Sequence, residues 1–96
     1  MANYQVTEFA DDDIFKIGFY LSARRMKGAE RFAREIEQTF ERLAEFPGIG
    51  RMRDELKPGI RSYVMGSYVI VYRVTDEGIL VLRVFHGSQD YEREFE

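Results

Sequence analysis

Ninety-six residues suit one domain spanning 1–96, and 45% apolar with 15% aromatic residues excludes a disordered chain, which lacks the apolar area to offset conformational entropy. With no cysteine, disulfides, thiolate metal sites and a cysteine nucleophile are excluded, and a reducing cytoplasm is the compartment that fits. A net charge of −3 argues against a dedicated nucleic-acid binder, which needs a basic surplus to displace counterions from phosphates.

The charge is unevenly spread. Arg24, Arg25 and Lys27 form one basic cluster and Arg51, Arg53, Lys57 and Arg61 another, while acids gather at Asp11, Asp12 and Asp13, along the second helical stretch and in the tail. A local basic patch survives the acidic total, but direct sequence-specific binding of nucleic acid is not expected. The first thirteen residues have neither a basic start nor an apolar run, so no signal peptide is expected. The apolar runs are far shorter than the roughly 20 residues of a membrane span, so no membrane partner is expected.

In chain order, alternation over residues 4–8 predicts a short first strand. Asp11 to Asp13 then offer an N-cap and acidic first-turn residues for a helix. Ile14, Ile17, Gly18 and Leu21 recur at helical spacing, carrying that helix to about Met26. Gly28 marks a break. A second helix from about Ala29 places Phe32, Ala33, Ile36, Phe40, Leu43 and Ala44 on one stripe, with Arg and Glu on the other face. Phe46-Pro47-Gly48-Ile49-Gly50 stops it, because proline cannot extend a helix and glycine supplies turn conformations. A polar, basic connector leads to Gly59. Three β-rich runs follow, over 60–65, 68–75 and 79–86, with Gly66-Ser67 and Asp76-Glu77-Gly78 as hairpin signals. The fold class implied is α+β: an N-terminal strand, a helical hairpin, then a three-stranded antiparallel sheet with the hairpin on one face.

Four segments, which together with the helical hairpin cover nearly the whole chain in the right order, resemble the RelE/ParE superfamily of bacterial toxins. They are Glu45-Phe46-Pro47-Gly48-Ile49-Gly50-Arg51, Pro58-Gly59-Ile60-Arg61-Ser62-Tyr63, Tyr68-Val69-Ile70-Val71-Tyr72-Arg73-Val74 and Ile79-Leu80-Val81-Leu82-Arg83-Val84-Phe85-His86-Gly87. The resemblance implies a RelE/ParE-like fold and the toxin of a type II toxin–antitoxin pair. RelE-like members cut messenger RNA on the ribosome. ParE-like members poison DNA gyrase and lack the nuclease's catalytic set. Resemblance to the ParE branch implies an inhibitory binding protein with no catalytic residues, DNA gyrase as target, and a ParD-like antitoxin lying along the hairpin and sheet.

RNA cleavage by 2′-hydroxyl attack needs a base near that hydroxyl, cations for the phosphorane charge and an acid for the leaving oxygen. RelE-like nucleases resemble one another in using lysines, arginines and a C-terminal Tyr, or a Glu with a His-Tyr pair. Here Lys16, Lys27 and Lys57 do not cluster, and His86 is followed by Gly87. What remains of such a set is Arg61, Arg83, His86 and Tyr91. Arg61 and Arg83 occupy positions similar to nuclease arginines, so a ribosome-dependent mRNA endoribonuclease stays as the alternative. A third reading is a non-toxic relative that retains only antitoxin binding.

If Asp76-Glu77-Gly78 is a three-residue loop, Arg73 and Arg83 share a face with Val69, Val71, Val81 and Phe85. Ile70, Tyr72, Val74, Leu80, Leu82, Val84 and His86 then form the more apolar face, under the helices. A two-residue loop reverses this relation.

Phe9, Phe15, Phe19 and Tyr20 carry apolar character around the first helix beyond one stripe, a surplus that points to a protein partner. Phe15, Phe19 and Tyr20, with Arg73, Arg83 and Phe95, are therefore the candidate partner-binding residues. Each feature has a plainer reading. Arg73 and Arg83 also suit the wet side of a half-covered sheet. The Arg24 cluster suits a helix C-terminus, Phe32, Phe40 and Phe46 suit a core stripe, and residues 88–96 suit a frayed end. His86 ends an apolar strand and suits a structural or capping role as well as proton transfer. No His, Asp and Glu set has metal-ligand spacing, and Gly48-Ile49-Gly50 follows a helix where a phosphate loop would precede one. No metal or nucleotide cofactor is expected.

Overall fold

The computed structural model describes residues 3–95. Strand β1 (Asn3–Val6) leads into helices α1 (Glu8–Arg24) and α2 (Met26–Glu45), followed by a 3-10 turn over Pro47–Ile49. Strands β2 (Arg51–Met52), β3 (Ile60–Met65), β4 (Tyr68–Val74) and β5 (Gly78–His86) come next, and a second 3-10 turn covers Tyr91–Phe95. The fold is α+β, a helical pair against one sheet of order β1-β5-β4-β3-β2.

The sheet has five strands where the sequence suggested three after the hairpin, and it is mixed. β1 pairs in parallel with β5, joining Asn3 opposite Gly78 to Val6 opposite Val81. A Cβ at Gly78 would run into the Asn3 carbonyl, so glycine is what lets β1 approach. β2 is only two residues long, paired with Arg61 and Ser62 inside what reads as a polar connector.

Both helix starts lie upstream of their expected positions. Thr7, not the aspartate run, caps α1: its hydroxyl accepts from the Ala10 N–H at 3.1 Å and donates to the Leu82 carbonyl at 2.8 Å. The break falls at Arg25, in extended conformation, and Gly28 sits within the first turn of α2. The α2 stripe buries Phe32, Ile36, Phe40, Leu43 and Ala44 as its 3.6-residue period requires, whereas Ala33 is exposed. Phe46 is also exposed and leaves the core stripe, because the chain has already turned away from the helix.

Residues 74 and 79 pair, so the β4–β5 loop has the two-residue parity. A bulge between Val71 and Tyr72 on β4 and Val81 and Arg83 on β5 then inserts Leu82 as an extra residue. The two shifts cancel beyond the bulge. Arg73 and Arg83 share the open face with Val69, Val71 and Phe85, as the three-residue loop implied. Between loop and bulge the expectation inverts: Val81 faces the helices, while Leu80 and Leu82 lie on the open face. The principal core lies between α2 and Ile70, Tyr72, Ile79, Val81 and Val84. A smaller cluster of Ile60, Val69, Val71 and Phe85 sits on the opposite face, covered by Leu82, Tyr91 and Phe95.

Candidate functional site

On α1, Ala10 is buried, and Ile14, Ile17 and Leu21 pack against the core. At about 100° per residue, Phe15 and Phe19 fall nearly opposite that stripe. Each is 69% exposed, and the two rings stack with centroids 6.4 Å apart. Phe9 and Tyr20 are also exposed, and the Arg24 guanidinium lies 4.3 Å from the Tyr20 ring centroid. These aromatics contribute nothing to the core, so α1 carries a free apolar face as well as a buried one.

The inner side of α1 closes the edge of β5 that β1 leaves uncovered. Asp13 accepts from the Val84 N–H at 2.9 Å and holds the Arg83 guanidinium with two further bonds, 2.8 and 3.0 Å. Hydrogen bonding to Asp13 raises the pKa of Arg83 against the cost of burial. Arg83 also lies 3.6 Å from a Glu94 oxygen and 4.6 Å from the centroid of the Phe85 ring. Asp13 was legible in principle: it stands three residues after Ala10 and four before Ile17, a carboxylate on the buried stripe.

Arg53 is the second residue that spacing did not single out. It is buried on the open side of the sheet, where its guanidinium donates to Glu55 (2.9 Å), Tyr91 Oη (2.9 Å) and Glu92 (3.3 Å). The bond to Tyr91, then that to Glu55, raises the Arg53 pKa. Tyr91 in turn stacks on Phe85 at 5.3 Å, and Phe95 meets the same ring edge-on at 6.3 Å. The tail that resembled a frayed end is therefore tied down on its own sheet. Beside it opens a groove of ≈ 440 Å³ whose lining includes Phe9, Lys57, Arg73, Leu82, Glu94 and Phe95.

The residues a nuclease would use are separated. Arg61 sits opposite Tyr72, facing the helices, and donates to the Gly50 carbonyl at 2.7 Å. His86 pairs with Tyr68 at the far end of that strand. Its Nδ1 accepts from the Ser88 N–H at 3.1 Å and lies 2.6 Å from Ser88 Oγ, a local turn cap. Arg83 and Tyr91 lie on the other face. The raised pKa values of Arg53 and Arg83 hold both in the charged form, so neither exchanges a proton near neutrality. Of the candidate partner residues, Phe15 and Phe19 lie on the outer side of α1, Tyr20 lies on its flank in a pocket with Ile17, Leu21, Tyr68 and His86, and Arg73, Arg83 and Phe95 line the groove. Among the described residues, no helix is long and apolar enough to cross a membrane.

Residues 4–91 match the family model described as the ParE toxin of the type II toxin–antitoxin system parDE. Toxin ParE1 of Mycobacterium tuberculosis is 44% identical over 66 residues, covering 68% of this chain and 67% of its own length. Toxin ParE1 of Caulobacter vibrioides is 34% identical over 91 residues, 94% of each chain. The chromosomal ParDE system from P. aeruginosa has the same fold, with a TM-score of 0.74 at 20% identity over 90% of this chain and 96% of that one. The toxin–antitoxin complex RelBE2 from Mycobacterium tuberculosis gives 0.65 at 28% identity, over 88% and 96%.

Proposed function

The chain belongs to the ParE family of type II toxin–antitoxin toxins, and on that premise we propose that it arrests growth by binding DNA gyrase in the cytoplasm, without catalysis. The observation that carries the non-catalytic part is the dispersal of the nuclease set over two sheet faces, with Arg83 neutralised by Asp13. A general base and acid must both reach one substrate in hydrogen-bond range, and Arg61, Arg83, His86 and Tyr91 do not surround one point.

A ParD-like antitoxin neutralises the toxin in this reading, and the stacked pair Phe15 and Phe19 is its first contact. Support comes from the exposure and stacking of those rings on one side of α1, and from relatives whose structures are of toxin–antitoxin systems. A largely exposed aromatic pair is what an amphipathic partner helix would bury.

The deciding experiment is DNA supercoiling by purified gyrase with rising amounts of this protein and no antitoxin. Lost supercoiling with accumulation of cleaved DNA is expected. Unimpaired gyrase from the native host would overturn the reading and turn attention to messenger RNA on ribosomes. There the Arg61→Ala and Arg83→Ala variants should lose cleavage if those residues act on RNA.

A further inference from the structure

The groove beside the tail has a basic rim and an apolar floor, and the tail itself reports which ligand chemistry that face accepts. Lys57 and Arg73 are both exposed in its lining, and neither forms an ion pair among the described residues. Buried Ile60, the cross-strand partner of Arg73, and half-buried Leu82 contribute apolar lining. The tail fills only the adjoining part of the same face. Two of its carboxylates meet arginines of the sheet side, Glu92 on Arg53 at 3.3 Å and Glu94 on Arg83 at 3.6 Å. Its two aromatic rings, Tyr91 and Phe95, meet Phe85. A segment that combines acids with aromatics is thus already seated on this surface, by contacts of the kind that an incoming segment would make with Lys57, Arg73 and Leu82.

We infer that this groove is a docking site for an acidic, aromatic-bearing peptide segment of a protein partner, and that the chain's own tail occupies one end of it as a displaceable stand-in. Charge complementarity selects the occupant: two cations with no ion pair among the described residues line the open part, while Glu92 and Glu94 are already engaged. A nucleic acid fits less well, because the Glu94 carboxylate lines the groove and would repel a phosphate backbone. The groove's chemistry is independent of the gyrase reading, since it concerns what this surface binds and not what the complex inhibits.

The test is fluorescence anisotropy of a labelled synthetic peptide with the sequence of residues 88–96, titrated with the purified full chain. Saturable binding that weakens as salt is added is expected, because exposed charges are screened. The Lys57→Glu, Arg73→Glu double variant should bind about tenfold more weakly, from two charge contacts turned repulsive. Both positions are exposed, and circular dichroism verifies the fold. Since the resident tail competes, the titration is repeated on a Phe95→Ala chain, which should bind at least as tightly as the intact one. Absence of binding to both chains overturns the inference, as does an affinity untouched by the charge reversal or by Glu→Gln changes in the peptide. Displacement of the peptide by a single-stranded oligonucleotide at equal concentration would reassign the groove to phosphate.

Discussion

Tyr72 joins the sheet to the segment that ends α2. Its ring is fully buried, its hydroxyl donates to the Pro47 carbonyl at 2.6 Å, and it accepts from the Gly50 N–H at 2.9 Å. A Cβ at Gly50 would collide with that ring, which is the physical reason for glycine at the end of the Phe-Pro-Gly-Ile-Gly run. Tyr72→Phe should cost about 1–3 kcal/mol, the range for leaving buried backbone partners unpaired. Thermal unfolding checks this, since each kcal/mol lowers Tm by about 4–8 °C in a chain of this size. Burial raises the Tyr72 pKa above its ordinary value of 10.0. The sign follows from linkage: the contribution is whole below that ordinary value and is lost as pH rises through the higher folded value. Stability should therefore fall on the alkaline side of about pH 10, and less steeply in Tyr72→Phe. Asp13→Ala should cost about 2–3 kcal/mol, because it strands both a half-buried guanidinium and the Val84 N–H. Arg83→Ala should cost less, since Asp13 keeps Val84. Denaturant unfolding of the two variants ranks them. At this scale the sequence was readable only where a residue type has one common use. Proline and glycine after α2 were legible as a stop, but the hydroxyl that needs that stop lies over twenty positions away. Arg53 looked like one member of a basic cluster because its four partners come from three separate stretches.

Among the elements, α1 and α2 differ in kind. α2 divides into a buried apolar stripe and a charged face, so its period alone located its core residues, with Ala33 the one stripe member left exposed. α1 covers an edge instead of a face, supplying Thr7 and Asp13 to β5 where β1 stops, and its outer aromatics have no work in the folded chain. Replacing Phe15 and Phe19 with Glu should therefore leave stability within about 0.5 kcal/mol of the parent, as for surface changes generally. The same variant should fail to co-purify with the cognate antitoxin. A large fall in Tm would mean that the rings are structural after all. The bounds of β3, β4 and β5 were legible within a residue or so, because each is a β-branched and aromatic run between turn residues. What escaped was pairing. Nothing local in residues 3–6 specifies a parallel partner some seventy-five positions on, and a two-residue strand such as β2 is too short for a pattern. The Leu82 bulge is equally silent in sequence, yet it decides which leucines and valines of β5 meet the helices.

Over the whole molecule, the tail sets both the cover of the open face and the charge balance. The stretch from Gln89 to Glu96 carries four acids and one arginine, so its removal takes the net charge from −3 to zero. Deletion also uncovers Phe85, which is otherwise only 1% exposed, and frees Arg53 from Tyr91 and Glu92. Lost burial of two partly covered rings, less the entropy regained by the freed segment, should cost about 1–3 kcal/mol. An apolar patch on a chain without net charge also loses the repulsion that keeps copies apart. The truncated chain should therefore self-associate near neutral pH, read by light scattering, and recover when the solution is moved well away from its isoelectric point. A Tyr91→Ala, Phe95→Ala chain separates the two causes. It loses the cover and keeps the charge, so it should show most of the stability loss and little of the association. Equal association in both chains would assign the effect to the bared face alone.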